Sequence, residues 1–140
     1  MPLHRIFHPP GIFSGEDKKA IAERLTAIYT AGGLPAFYVG VIFIAVDEDS
    51  FFVGGKPTSK VVRIVSQHIA RHVVTPEAKA HRVQTLEDAF APYIKDRGFD
   101  WELHVELHDR ELWRVNGMVP PLTNSDGEKT WAKLNKAVPY

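Results

Sequence analysis

The proline of Met1-Pro2-Leu3 is the residue with the most chemistry to offer. An initiator methionine before a small residue is ordinarily trimmed, and the trimmed chain is expected to begin with a secondary amine. A free α-amino group titrates near ~7.7–8.0, and burial disfavours its charged form. Pro2 in an apolar pocket is therefore expected to act as a base at neutral pH. Seven histidines offer a second chemistry, metal binding. His104-x-x-x-His108 and His68-x-x-x-His72 have helical ligand spacing, but both pairs fall in or beside expected strands. There they stand about 13 Å apart at ~3.3 Å per residue, too far to share one ion. Cysteine is absent, which excludes disulfides, thiolate nucleophiles and cysteine-ligated metals. No metal and no cofactor are expected.

The elements that must position Pro2 are legible from periodicity. Leu3 to His8 alternates Leu3, Arg5 and Phe7 against His4, Ile6 and His8, a two-residue period. Pro9-Pro10-Gly11 ends that strand. Ser14 with Asp17 three residues on reads as a capping box, and Ile21, Leu25, Ile28 and Tyr29 follow at helical spacing up to Gly32-Gly33. Tyr38 to Val46 reads as a buried strand, and Phe51 to Gly55 as a short hairpin arm. The same order then recurs. Val61 to Arg71 is a strand, and Thr75-Pro76 opens a helix whose apolar face carries Val83, Leu86, Phe90 and Tyr93. Pro92 predicts a kink or an end near Ala91, and Gly98 a stop. Trp101 to His108 alternates cleanly, with Glu102, His104 and Glu106 on its polar face.

Each half supplies a crossover long enough for parallel strands. The expected fold is α+β: two fused β-α-β units over residues 2–50 and 60–108, giving a four-stranded sheet with two helices on one face. A tail over residues 109–140 completes a single domain. It holds the Asn116-Gly117 turn and a short helix capped by Ser125 with Glu128, and is expected to form an interface. No third long helix covers the second sheet face, so oligomerisation is expected.

Composition narrows the partners. Seventeen basic and seventeen acidic side chains cancel, which argues against a nucleic-acid footprint or a polybasic membrane patch. The longest apolar stretch, near Val39 to Val46, is too short to span a bilayer. With no signal peptide recognisable, a soluble cytoplasmic protein is expected.

Several stretches resemble the tautomerase superfamily, and within it the cis-3-chloroacrylic acid dehalogenase-like group with its largely fungal tautomerase-like proteins. They are Met1-Pro2-Leu3 through Gly11, Gly33 to Val39, Phe51 to Pro57, His68 to Arg71, Arg110 to Gly117 and Ala137 to Tyr140. The resemblance spans the whole chain. It implies a homotrimer, Pro2 at the floor of each site, and cationic side chains holding a small carboxylate substrate. Its catalytic histidine corresponds to Tyr29 here. Of its two arginines only Arg71 has a clear counterpart, with Ile69 near the other. Its active-site tyrosine corresponds to His104. Its water-activating glutamate falls near Val115, beside Arg114 and Asn116, with Glu111 four residues earlier. The resemblance thus implies Pro2, Tyr29 and His104 as catalytic, and Arg71, Arg114 and Asn116 as substrate-binding. The implied activity is a cofactor-independent tautomerase, an isomerase, acting on a small 2-oxo or unsaturated carboxylic acid. A hydratase or hydrolytic dehalogenase on a 3-haloacrylate-like acid is the alternative. A non-enzymatic binding protein on the same scaffold is the third reading.

Overall fold

A computed structural model describes residues 1–140. Local signals set most elements. The Ser14 hydroxyl accepts from the Asp17 amide while the Asp17 carboxylate accepts from the Ser14 amide, so both halves of the capping box form. Helix α1 runs Gly15–Thr30 and buries Ile21, Leu25 and Tyr29. Thr75 caps α2, Pro76–Phe90, which buries Leu86, Ala89 and Phe90. Pro92 ends α2 as expected: the chain tightens into a 3-10 turn over Ala91–Tyr93. Gly98, at φ +78°, turns the backbone into the next strand.

The strands are β1 Leu3–His8, β2 Gly40–Ala45, β3 Phe52–Val53, β4 Lys56–Pro57, β5 Val61–His68 and β6 Asp100–Leu107. The main sheet has the order β2-β1-β5-β6. β1 and β2 are parallel, as are β5 and β6, and the two units meet antiparallel along β1 and β5. β3 and β4 form the hairpin arm, with Gly54 and Gly55 both at positive φ in its turn. Both long helices cover the sheet face formed by His4, Ile6, Val62 and Ile64, all wholly buried. The opposite face carries Arg5, Phe7, Ile42, Arg63, Gln67, Glu102, His104 and Glu106, and no helix covers it. No helix is long and apolar enough to cross a membrane.

Two strand boundaries depart most from expectation. Tyr38 lies outside β2, in a 3-10 turn over Ala36–Tyr38, because its ring packs between Trp113 and Trp131. β5 stops at His68, so Ile69 to Arg71 leave the sheet as irregular chain. The tail folds onto its own chain: Trp131 of α3, Asp126–Leu134, is fully buried, and Trp113 and Ala137 join the same core. The Asn135 side chain accepts from the Phe37 amide at 2.8 Å, fixing the tail to the end of the first unit.

Candidate active site around Pro2

The antiparallel seam builds the site. Leu3 pairs with Gln67, so residue 2 emerges beside His68 at the far end of β5. Pro2 is buried, and its carbonyl accepts from the Gly40 amide at 2.9 Å. A side chain on Gly40 would sit 3.0 Å from the Leu3 side chain and 3.6 Å from that of Met1, so glycine there lets the first residues lie close to β2. Pro2 borders a cavity of about 160 Å³. Ile28, Leu34, Ile69 and Val73 give it apolar walls, and Tyr29, His68, Arg71 and Arg82 its polar groups. No aspartate or glutamate lines it.

Helix and strand ends deliver each polar group. Tyr29 occupies the last turn of α1, 5% exposed, and its hydroxyl lies 2.6 Å from His68 Nε2. His4 lies beneath both, with ring centroids 5.5 Å from Tyr29 and 6.5 Å from His68. Its Nδ1 bonds the Ser66 hydroxyl at 2.8 Å, while its buried Nε2 has no partner. Arg82, from α2, sets its guanidinium 5.4 Å from the Tyr29 ring centre. Arg71 follows β5 and donates to Glu128 Oε2 at 2.8 Å and to the Asn124 side chain at 3.5 Å.

Burial and positive charge control the protonation states. Burial, then the charges of His68 and Arg82, pull His4 down from 6.5 to about 3. Burial first, then Arg82, the chain's amino terminus and His72, pull His68 down to about 4. Burial pushes the Tyr29 phenol above its ordinary range. At neutral pH the cavity therefore holds a neutral phenol against a neutral imidazole, with one proton shared between them. With Met1 in place the terminal ammonium falls from 8.0 to about 4, by burial first and the Arg110 charge second.

Of the six residues singled out from the sequence, Pro2, Tyr29 and Arg71 meet in this cavity. The other three lie elsewhere. The His104 side chain contacts Arg63 at 3.4 Å and Glu106 at 3.3 Å, on the sheet face away from Pro2. Arg114 turns back to the Trp113 carbonyl at 2.8 Å and the Glu111 carbonyl at 3.2 Å. Asn116 is exposed, at φ +50° in the turn that joins Val115 to Met118. That left-handed conformation accounts for the Asn-Gly pair without a ligand. Sequence reasoning missed His4, His68 and Arg82. Strand parity held a signal for the histidines, since polar residues on the buried face of a strand need a partner.

The comparisons with known proteins bear on the whole chain. The family model described as "Putative oxalocrotonate tautomerase enzyme" matches residues 1–136. Native RhCC from Rhodococcus jostii RHA1 is 42% identical, with 99% of both chains covered and a TM-score of 0.96. A probable enzyme from the thermophilic fungus Aspergillus fumigatus is 34% identical, covering 100% of this chain and 98% of that one, with a TM-score of 0.94. N1, a member of the cis-3-chloroacrylic acid dehalogenase family, shares the fold at 18% identity, with 95% and 97% coverage and a TM-score of 0.74. No protein curated for function matches the chain. The chain belongs to the oxalocrotonate tautomerase family, within the tautomerase superfamily and with the fold of its cis-3-chloroacrylic acid dehalogenase branch.

Proposed function

We propose that this chain is a cofactor-independent tautomerase that moves a proton next to the carbonyl of a small 2-oxo or unsaturated carboxylic acid. Pro2, freed by removal of Met1, takes the proton from the carbon beside the carbonyl and returns it in the reverse direction. With His68 as the Nε2–H tautomer, the imidazole donates to the Tyr29 oxygen and leaves the phenol proton free. That proton is then available to the substrate oxygen as it gains charge. A guanidinium of the cavity wall holds the carboxylate.

The observation that carries this reading is the wall itself. It joins the buried Pro2 to a phenol–imidazole pair and two arginines, and it contains no carboxylate. Proton transfer at carbon needs a base, a donor and an anion clamp, and all three are at hand. Hydration or dehalogenation also needs a group that activates water, and this chain offers no such carboxylate to the cavity. The uncovered sheet face, with Ile42 47% exposed, and the unpaired edges of β2 and β6 support a closed homo-oligomer, proposed as a trimer.

The test is enol–keto conversion of phenylpyruvate by protein whose N-terminus has been checked by mass. Wild type is expected to accelerate conversion, and Pro2→Ala to lose about 10²-fold or more. Covalent capture of 3-bromopropiolate at Pro2 is expected in parallel. Equal rates for wild type and Pro2→Ala would sink proline catalysis. Halide release from 3-chloroacrylate at a rate matching tautomerisation would favour the dehalogenase reading instead.

A further inference from the structure

The two cavity arginines are not equivalent. Arg71 is already neutralised within its own chain by Glu128, whose side chain is 3% exposed. Glu128 Oε2 also accepts from the Asn124 amide at 2.7 Å, so the carboxylate is fixed from two sides. The sequence reading makes Glu128 a partner in the cap of α3, but only its backbone serves there, donating to the Ser125 hydroxyl at 3.2 Å. Its carboxylate crosses to Arg71. Arg82 has no carboxylate partner in the chain and faces the cavity from above the Tyr29 ring.

The geometry points to Glu128 as a specificity-determining residue. By occupying Arg71 it leaves Arg82 as the one free anchor, so the site accepts monocarboxylates and rejects dicarboxylates. This rests on the tautomerase reading of the same cavity. A single free guanidinium satisfies one carboxylate in bidentate fashion. A second carboxylate meets either the apolar wall of Ile28, Leu34, Ile69 and Val73, where an unpaired charge is costly, or Arg71 with Glu128 behind it. The preferred substrate class is therefore a short 2-oxo monoacid with an apolar chain.

The experiment compares two acids of equal carbon number, 2-oxopentanoate and 2-oxoglutarate. Deuterium entry at C3 is followed by NMR, after correction for exchange in buffer. Wild type is expected to favour the monoacid in kcat/KM by roughly tenfold or more. Arg82→Gln is expected to raise KM for 2-oxopentanoate by roughly tenfold with a smaller change in kcat. Glu128→Gln frees Arg71 and is expected to narrow the preference by roughly tenfold. The double variant Arg71→Gln/Glu128→Gln is expected to restore it, which separates charge from any looser packing of the tail. Equal or faster exchange of 2-oxoglutarate by wild type overturns the proposal. So does an unchanged KM in Arg82→Gln, a measurement that does not require the Glu128 variants to fold. Exchange with neither acid, at the level of Pro2→Ala, removes the tautomerase reading itself. Normal exchange with inverted preference removes only the role of Glu128.

Discussion

Acidification attacks the histidine layer beneath Pro2 before it reaches any carboxylate. His4 and His68 are 0% and 5% exposed and fold as neutral imidazoles, at about 3 and about 4 against an ordinary 6.5. Both folded values are depressed, so the unfolded chain binds more protons throughout the window from 6.5 downward. The contribution of these two histidines is therefore complete above pH 6.5 and is lost as pH falls toward 4 and then 3. One unit is worth about 1.36 kcal/mol, so at pH 4.5 each histidine has surrendered about 2.7 kcal/mol and the pair about 5 kcal/mol. Domains of this size hold about 5–15 kcal/mol in total, so most of the margin disappears. The carboxylates act in the same direction only at lower pH. Arg97 and the Ser14 amide hold Asp17 far down, and Gln67 and His104 hold Glu106 down. Urea unfolding at fixed protein concentration, followed by tryptophan fluorescence from pH 7.5 to 4.5, measures the effect. His4 and His68 together are expected to contribute about 2.7 kcal/mol per pH unit to the loss below pH 6, and His4→Gln and His68→Gln each to shallow the slope by about half of that. A flat wild-type profile between pH 7 and 5, or slopes unchanged in both variants, would refute the reasoning.

Tyr29→Phe removes the proton proposed to meet the substrate oxygen, so kcat for phenylpyruvate is expected to fall about 10²-fold with little change in KM. Because it also strands the buried His68 Nε2, a stability loss of about 1–3 kcal/mol should accompany it in the same urea assay. Arg71→Ala leaves the Glu128 carboxylate buried and unpaired, and is expected to cost about 3–5 kcal/mol at neutral pH. Adding Glu128→Gln should return a substantial part of that loss, and an additive double variant would show that the pair is not coupled. Protein with Met1 retained is expected to lack tautomerase activity, since Pro2 nitrogen is then an amide. Treatment with a methionine aminopeptidase should restore the rate, and full activity before trimming would count against Pro2 as the base.

Sequence patterns carry much of this fold because the scaffold obeys local rules. Ser14 with Asp17, Thr75 with Pro76, and Gly98 each do in the structure what their residue types favour. The strict alternation of β6 places His104 on the polar face, where it is found. The site was harder to read because its residues break those rules. Ser66 and His68 interrupt the buried face of β5 with polar groups that make sense only once His4 and Tyr29 arrive, from 62 and 39 residues away. Arg82 sits on a helix surface among other charged residues, and nothing local marks it as the free cation. Glu128 looks like a cap because its spacing from Ser125 fits one, yet a long-range ion pair takes its carboxylate. Functional positions are where local and global preferences are expected to disagree.

The duplicated architecture raises the question of why one cavity forms and not two. The antiparallel seam is symmetric: it sets residue 2 beside His68 at one end, and by the same register brings His8 toward the start of β5 at the other. His8 is buried like His68, but its Nε2 has no partner, whereas that of His68 meets the Tyr29 hydroxyl. There the likeness ends. Phe13 and Phe43 fill the space around His8, with ring centroids 5.0 Å and 6.2 Å away, where the first site is open. Backbone chemistry supplies the reason. At the first end the proposed removal of Met1 gives Pro2 a free amine. At the second end β5 is preceded by Thr58-Ser59-Lys60, so the corresponding nitrogen is an amide with no basic lone pair. Under the proposed mechanism only the first end supplies a proline-type base, and the second end closes with aromatic packing. The cavity draws on both units, Pro2 and Tyr29 from the first and His68, Arg71 and Arg82 from the second, while Glu128 of α3 holds Arg71 from outside the lining. The sheet is nearly symmetric, and the asymmetry of the proposed chemistry rests on what fills its two equivalent corners: an open cavity beside Pro2 and His68 at one, and packed phenylalanine rings around His8 at the other.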